Sequence, residues 1–204
     1  LTLKVVYSVT EGNEFKLEYS ATTTKSTVLN LTNHAFFNLA GEGVGDVLDH
    51  VLWVKAEKFT PTDEMAIPTG ELRAVKGTPF DFVAPKTLGQ DIDVKNDQLS
   101  YGKGYDHNFV LIKDKGALDL AARISEPTTG RVMEVYTTEP GLQVYTANTL
   151  ETVGKAGHVN GPRSSFCLET QHFPDSPHHA HFPSTVLRPG EQYASTTIYR
   201  FLTE

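Results

Sequence analysis

Glu169 stands in Phe166-Cys167-Leu168-Glu169-Thr170-Gln171, an apolar, strand-like run with little around it to explain a charge. A carboxylate among apolar residues costs stability unless it is partnered, so this one points to chemistry. Three other stretches set single polar groups among strand-like apolar residues. Residues 28–39 carry His34, residues 104–111 carry Asp106, and residues 140–148 carry Gln143. A His, an Asp, a Gln and a Glu together suit proton transfer on a hydroxylated substrate.

Each of the four also has a plainer role. In an extended chain Phe166, Leu168 and Thr170 face one way and Cys167, Glu169 and Gln171 the other. If Phe166 and Leu168 face a core, Glu169 and Gln171 line a cleft; on spacing alone Glu169 serves equally well as a solvent-facing glutamate. His34 follows an alternating apolar run and precedes Phe36 and Phe37. An imidazole is the natural proton donor near neutral pH, yet a core histidine bonded to backbone is the commoner case. Asp106 enters a strand after Gly102 and Gly104, where an aspartate more often forms a turn. Gln143 is either a sugar-binding amide or a surface residue. His172, His178, His179 and His181 suggest a metal site, but their spacing fits no strong zinc pattern and no metal is expected. There is no glycine-rich phosphate loop, G-x-S-x-G elbow or dinucleotide fingerprint.

The elements that must position these groups are strands. Phe15, Leu17 and Tyr19 alternate with Glu14, Lys16 and Glu18, and Leu118, Leu120, Ala122 and Ile124 alternate with Asp119, Ala121 and Arg123. Residues 132–138, 142–147, 166–171 and 197–201 also read as strands. Turn signals separate them at Glu11-Gly12-Asn13, Thr128-Thr129-Gly130, Pro140-Gly141 and Pro189-Gly190. No amphipathic helix of about 11 residues or more is evident, and residues 87–99 are the best candidate for a turn or two of helix. This pattern predicts an all-β, mainly antiparallel sandwich or barrel. Residues 59–85, 154–163 and 174–183 form long loops, of the kind that cover or carry a site.

The chain has 204 residues, enough for one large domain, with 39% hydrophobic and 21% charged residues, so a buried core is expected and disorder is not. A net charge of −7 argues against a nucleic-acid partner. The single cysteine, Cys167, excludes an intrachain disulfide framework. No stretch of about 18 apolar residues would span a membrane, and no signal peptide is visible. A cytoplasmic location is expected.

Read together, the motifs closely resemble the aldose 1-epimerase (galactose mutarotase) family. They are Thr32-Asn33-His34-Ala35-Phe36-Phe37-Asn38-Leu39-Ala40-Gly41, Asp63-Glu64-Met65-Ala66-Ile67-Pro68-Thr69-Gly70, Gly77-Thr78-Pro79-Phe80-Asp81-Phe82 and Tyr105-Asp106-His107-Asn108-Phe109. Pro140-Gly141-Leu142-Gln143-Val144-Tyr145-Thr146, Cys167-Leu168-Glu169-Thr170-Gln171, Phe182-Pro183-Ser184 and Leu187-Arg188-Pro189-Gly190-Glu191-Gln192-Tyr193 follow in family order. The resemblance implies a large β-sandwich and interconversion of the α and β anomers of free aldoses, without a cofactor. It implies Glu169 as general base, His34 as general acid, and Asp106 and Gln143 as contacts to sugar hydroxyls. Glu169 and His34 are then expected on opposite sides of a space one pyranose ring wide. A non-catalytic sugar-binding module and a hexose-phosphate epimerase are the rival readings.

One departure stands out. The family also carries an N-terminal Asn-Arg pair and a Leu-His-Gly-Gly stretch whose Arg and His reach the sugar, and neither occurs here. Leu1 therefore corresponds to a position partway through the family's sandwich. The expectation is that residues 1–204 alone form a poor enzyme with an uncovered sheet edge or core face.

Overall fold

Alternation decides the architecture. Between Glu14 and Thr22, the side chains of Leu17, Tyr19 and Ala21 are buried and the intervening residues are not. The same two-residue period recurs between Gln192 and Thr203, where Ser195, Thr197 and Tyr199 turn inward. The structure, a computed structural model, describes residues 1–204.

In chain order the strands are β1 Thr2–Val9, β2 Glu14–Thr22, β3 Thr27–Val28, β4 Val51–Val54, β5 Ala56–Thr60, β6 Arg73–Ala74, β7 Lys86–Thr87, β8 Asp106–Leu111, β9 Asp119–Glu126, β10 Arg131–Thr137, β11 Gly141–Tyr145, β12 Thr152–Val153, β13 Val159–Asn160, β14 Cys167–Gln171, β15 Val186–Leu187 and β16 Gln192–Thr203. A seven-stranded sheet has the order β1-β2-β16-β10-β9-β4-β7 and a five-stranded sheet the order β14-β11-β8-β5-β6. Two short two-stranded pairs complete the set, the local β12-β13 and the long-range β15-β3. The pairings within both large sheets are antiparallel. The expected all-β, mainly antiparallel sandwich is thus the fold observed.

The two large sheets close over one core. Leu17, Ile124, Met133, Val135 and Tyr199 from the larger sheet share a cluster with Phe59, Phe109, Leu142, Val144 and Leu168 from the smaller. Polar contacts also cross this layer: Tyr199 Oη donates to Leu168 O at 2.8 Å, and Thr170 and Thr197 hydroxyls meet at 2.5 Å. The 59–85 loop is part of the core rather than a cover, because Val75, Phe80 and Phe82 are fully buried and Phe80 stacks on Phe59. β1 differs, with most of its residues exposed, among them Leu3, Tyr7 and Val9.

Two sequence expectations need correction. In β9 the apolar phase is not Leu118, Leu120, Ala122, Ile124: a register shift opposite Val135 and Tyr136 inserts one extra residue. Ala121 and Ala122 are therefore both buried and Leu118 is exposed. The one α-helix, α1, spans Asp97–Gly102 and overlaps the expected segment only at its end. Asn96 sets its start by accepting from the N–H groups of Gln98 and Leu99. No helix is long and apolar enough to cross a membrane.

Candidate active site

Register brings three of the four candidate side chains to one face of the five-stranded sheet. Gln143 on β11 stands directly opposite Glu169 on β14 and, on its other side, Asn108 on β8. Two residues along, Tyr145 stands between Cys167 and Asp106. Residues two apart share a face, so Asp106, Gln143 and Glu169 project from the side away from the core-facing Phe109, Leu142 and Leu168.

His34 arrives from outside any strand. Phe37 exchanges two backbone hydrogen bonds with Phe166, at 2.8 and 2.9 Å, which lengthens the β14 edge by one pair. This bridge lays the imidazole along β14, where Nε2 lies 3.3 Å from Glu169 Oε1 and Nδ1 lies 3.4 Å from Cys167 Sγ. The rings of Phe36 and Tyr145 flank it at 4.9 and 5.8 Å. His34 and Glu169 are therefore in direct contact, not separated by a ring-wide space. The reason is that both are held by the same short length of sheet edge.

Asp106 and Gln143 form a second pair. Gln143 donates from Nε2 to Asp106 Oδ1 at 2.8 Å and accepts from Gln171 Nε2 at 3.4 Å. Gln171 thereby fixes which end of the Gln143 amide faces the aspartate. A recess of about 70 Å³ adjoins both residues and is bordered by Thr60, Thr62, Asn108 and Pro174. Asn108 has a buried amide with no hydrogen-bond partner in the protein. Gln171 was expected to line a cleft with Glu169, whereas little in the sequence singles out Cys167 or Asn108. The one available signal was that each lies two residues from a candidate on the same strand face. A larger cavity, about 990 Å³, lies elsewhere, between Lys113, Glu139, His172 and Ser195, and contains none of the four candidates.

Burial sets the charge state. Glu169 is 6% exposed. Desolvation pushes its carboxyl from the ordinary 4.5 up to about 7, against the pull of His34 and with a further push from Asp106. Asp106 is also raised by burial, partly offset by its hydrogen bond from Gln143 and by His34. A carboxylate poised near neutrality is well matched to accept a proton there.

The shift has a stability consequence. An unfolded glutamate loses its proton near 4.5 and the folded Glu169 only near about 7, so the folded state holds more protons in between. Stability is then lost as pH rises through that window. Replacing Glu169 with Gln is expected to stabilise the protein by up to about 3 kcal/mol at about pH 8, and by little at about pH 5. Urea unfolding at the two pH values checks this; equal effects at both, or a loss at the higher, would contradict the burial argument.

The four histidines of the C-terminal loop are occupied elsewhere. His172 Nδ1 meets Glu139 Oε2 at 2.5 Å and His178 Nδ1 meets Asp175 Oδ1 at 2.5 Å. His179 and His181 reach the carbonyls of Pro68 and Gly70, at 3.2 and 2.7 Å, tying the 174–183 loop to the 59–85 loop. The donor atoms of His34, Cys167 and Glu169 do lie within 4.8 Å of one another. They suit a metal poorly: the two ring nitrogens face different partners, and burial together with Glu169 and Asp106 pushes the Cys167 thiol strongly up, away from the thiolate a metal needs.

Comparison with known proteins points the same way as the geometry. The family model described as aldose 1-epimerase matches residues 1–200. Galactose mutarotase of Bos taurus is 43% identical over 98% of this chain and 57% of its own length. Aldose 1-epimerase of Escherichia coli K12 is 37% identical over 98% of this chain and 58% of its own. Among solved structures, the GalM/aldose epimerase homologue from C. elegans superposes with a TM-score of 0.87 at 29% identity, covering 98% of this chain and 59% of that one. The chain thus spans somewhat more than half the length of these relatives.

Proposed function

Because the chain belongs to the aldose 1-epimerase family, we propose that the full-length protein interconverts the α and β anomers of free aldohexoses such as galactose and glucose. The observation that carries this reading is the buried Glu169 carboxylate at 3.3 Å from His34 Nε2, beside the Asp106–Gln143 pair.

The two oxygens that exchange protons during anomerisation, the C1 hydroxyl and the ring oxygen, are bonded to the same carbon. An acid and a base that serve both must be neighbours, as His34 and Glu169 are. Glu169 takes the proton of the C1 hydroxyl; that O–H pair becomes the second C1–O bond. The C1–ring-oxygen bond breaks, and its pair on the ring oxygen takes the proton from His34 Nε2. The open aldehyde turns about C1–C2 and recloses with the roles of the two groups reversed, as microscopic reversibility requires. Asp106 and Gln143 hold hydroxyls of the sugar so that acid and base each meet the right oxygen. The chemistry transfers protons and breaks and remakes one C–O bond with no net oxidation, and so calls for no cofactor.

A sugar-binding module without activity has no use for a carboxylate carried into a buried position at a cost of stability. A hexose phosphate needs free cations, and the two arginines nearest the C-terminal motifs are committed. Arg163 donates to Thr146 Oγ1 and Lys103 O, and Arg188 faces Glu191 at 3.7 Å.

Polarimetry of freshly dissolved α-D-galactose is expected to show mutarotation faster than in buffer, with the same rate in the presence of a chelator. A rate equal to buffer would contradict the proposal.

A further inference from the structure

We propose that Cys167 is a positioning residue that fixes the neutral His34 ring with its proton on Nε2, the nitrogen that faces Glu169. The inference rests on the acid–base reading of His34 and Glu169 given above.

With Glu169 ionised and the His34 ring neutral, the geometry leaves one consistent arrangement. His34 Nδ1 lies 3.4 Å from Cys167 Sγ, and His34 Nε2 lies 3.3 Å from Glu169 Oε1. A neutral imidazole has one N–H and one bare lone pair. With the proton on Nδ1, the lone pair of Nε2 would face a carboxylate oxygen, two acceptors in contact. With the proton on Nε2, that contact is a hydrogen bond, and Nδ1 accepts from the thiol. The thiol is able to donate because it is fully buried and lies near Glu169 and Asp106, both of which oppose its ionisation. The groups facing the ring are Glu169, Asp106, Cys167, Phe36 and Tyr145. Of these only the thiol is hydrogen-bonded to Nδ1.

The choice of residue is informative. A histidine is commonly oriented by an Nδ1–H donated to a backbone carbonyl. Such a partner would put the proton on the wrong nitrogen here. A donor is required, and a thiol one side chain away from Glu169 on the same strand face supplies it without adding charge.

The test reads the tautomer directly. In the full-length protein labelled with ¹⁵N-histidine, at about pH 9, above the range in which the Glu169 carboxyl titrates, His34 is expected to show a protonated Nε2 and an unprotonated Nδ1. A proton on Nδ1 would overturn the inference. In kinetics, Cys167→Ala is expected to lower kcat about tenfold, a part of what general acid catalysis contributes, with KM within about twofold. Cys167→Ser, whose hydroxyl also donates, is expected to recover most of the loss. An unchanged kcat in Cys167→Ala, or a loss confined to KM, would overturn it as well. If the unaltered protein fails to speed mutarotation, the functional reading falls; if it is active and His34 carries its proton on Nδ1, only this inference does.

Discussion

Glu169→Gln is expected to lose about 10²–10⁴-fold in kcat, the range that general acid–base catalysis contributes, while KM changes little. The amide keeps the shape of the side chain and its place opposite Gln143, but it cannot accept the C1 hydroxyl proton. The unaltered protein should also show an acid limb in its rate profile. The carboxyl is pushed up to about 7 by burial, so the base is lost as pH falls through neutrality, and that limb should vanish in the variant. Stopped-flow polarimetry across pH measures both. A variant within twofold of the unaltered protein would remove Glu169 from the role of base. The same substitution is expected to raise stability at alkaline pH, so lower activity would not reflect poor folding.

His34→Asn is expected to produce the second large loss, again about 10²–10⁴-fold in kcat. A neutral amide can hold a hydrogen bond to the ring oxygen but cannot transfer a proton to it. The contact with Glu169 at 3.3 Å means that the two substitutions act on one unit. Their effects should combine to much less than the product of the single losses. A double variant whose loss equals that product would show that acid and base act independently.

Much of the fold was legible because several of the long strands bury one face and leave the other less covered. β2 and β16 show that two-residue period plainly. β9 misled because a bulge changes phase midway, and no residue type announces it. β14 misled in another way. All five of its residues are buried, since the Phe37–Phe166 bridge brings the His34 segment against the edge of a strand that reads as open on one side. That long-range bridge also makes His34 and Glu169 neighbours rather than opposite walls of a cleft. The histidine-rich loop resembled a metal site only in composition. Its ring nitrogens close loop-to-loop contacts that depend on where Pro68 and Gly70 fall in space.

The most direct measurement is a crystal structure of Glu169→Gln with galactose bound. The expected result places the ring oxygen within about 3.2 Å of His34 Nε2 and the C1 hydroxyl at the same range from the residue 169 side chain, with Asp106 and Gln143 on other hydroxyls. A sugar bound instead in the large cavity beside Glu139 and His172, or with C1 turned away from His34, would contradict the assignment.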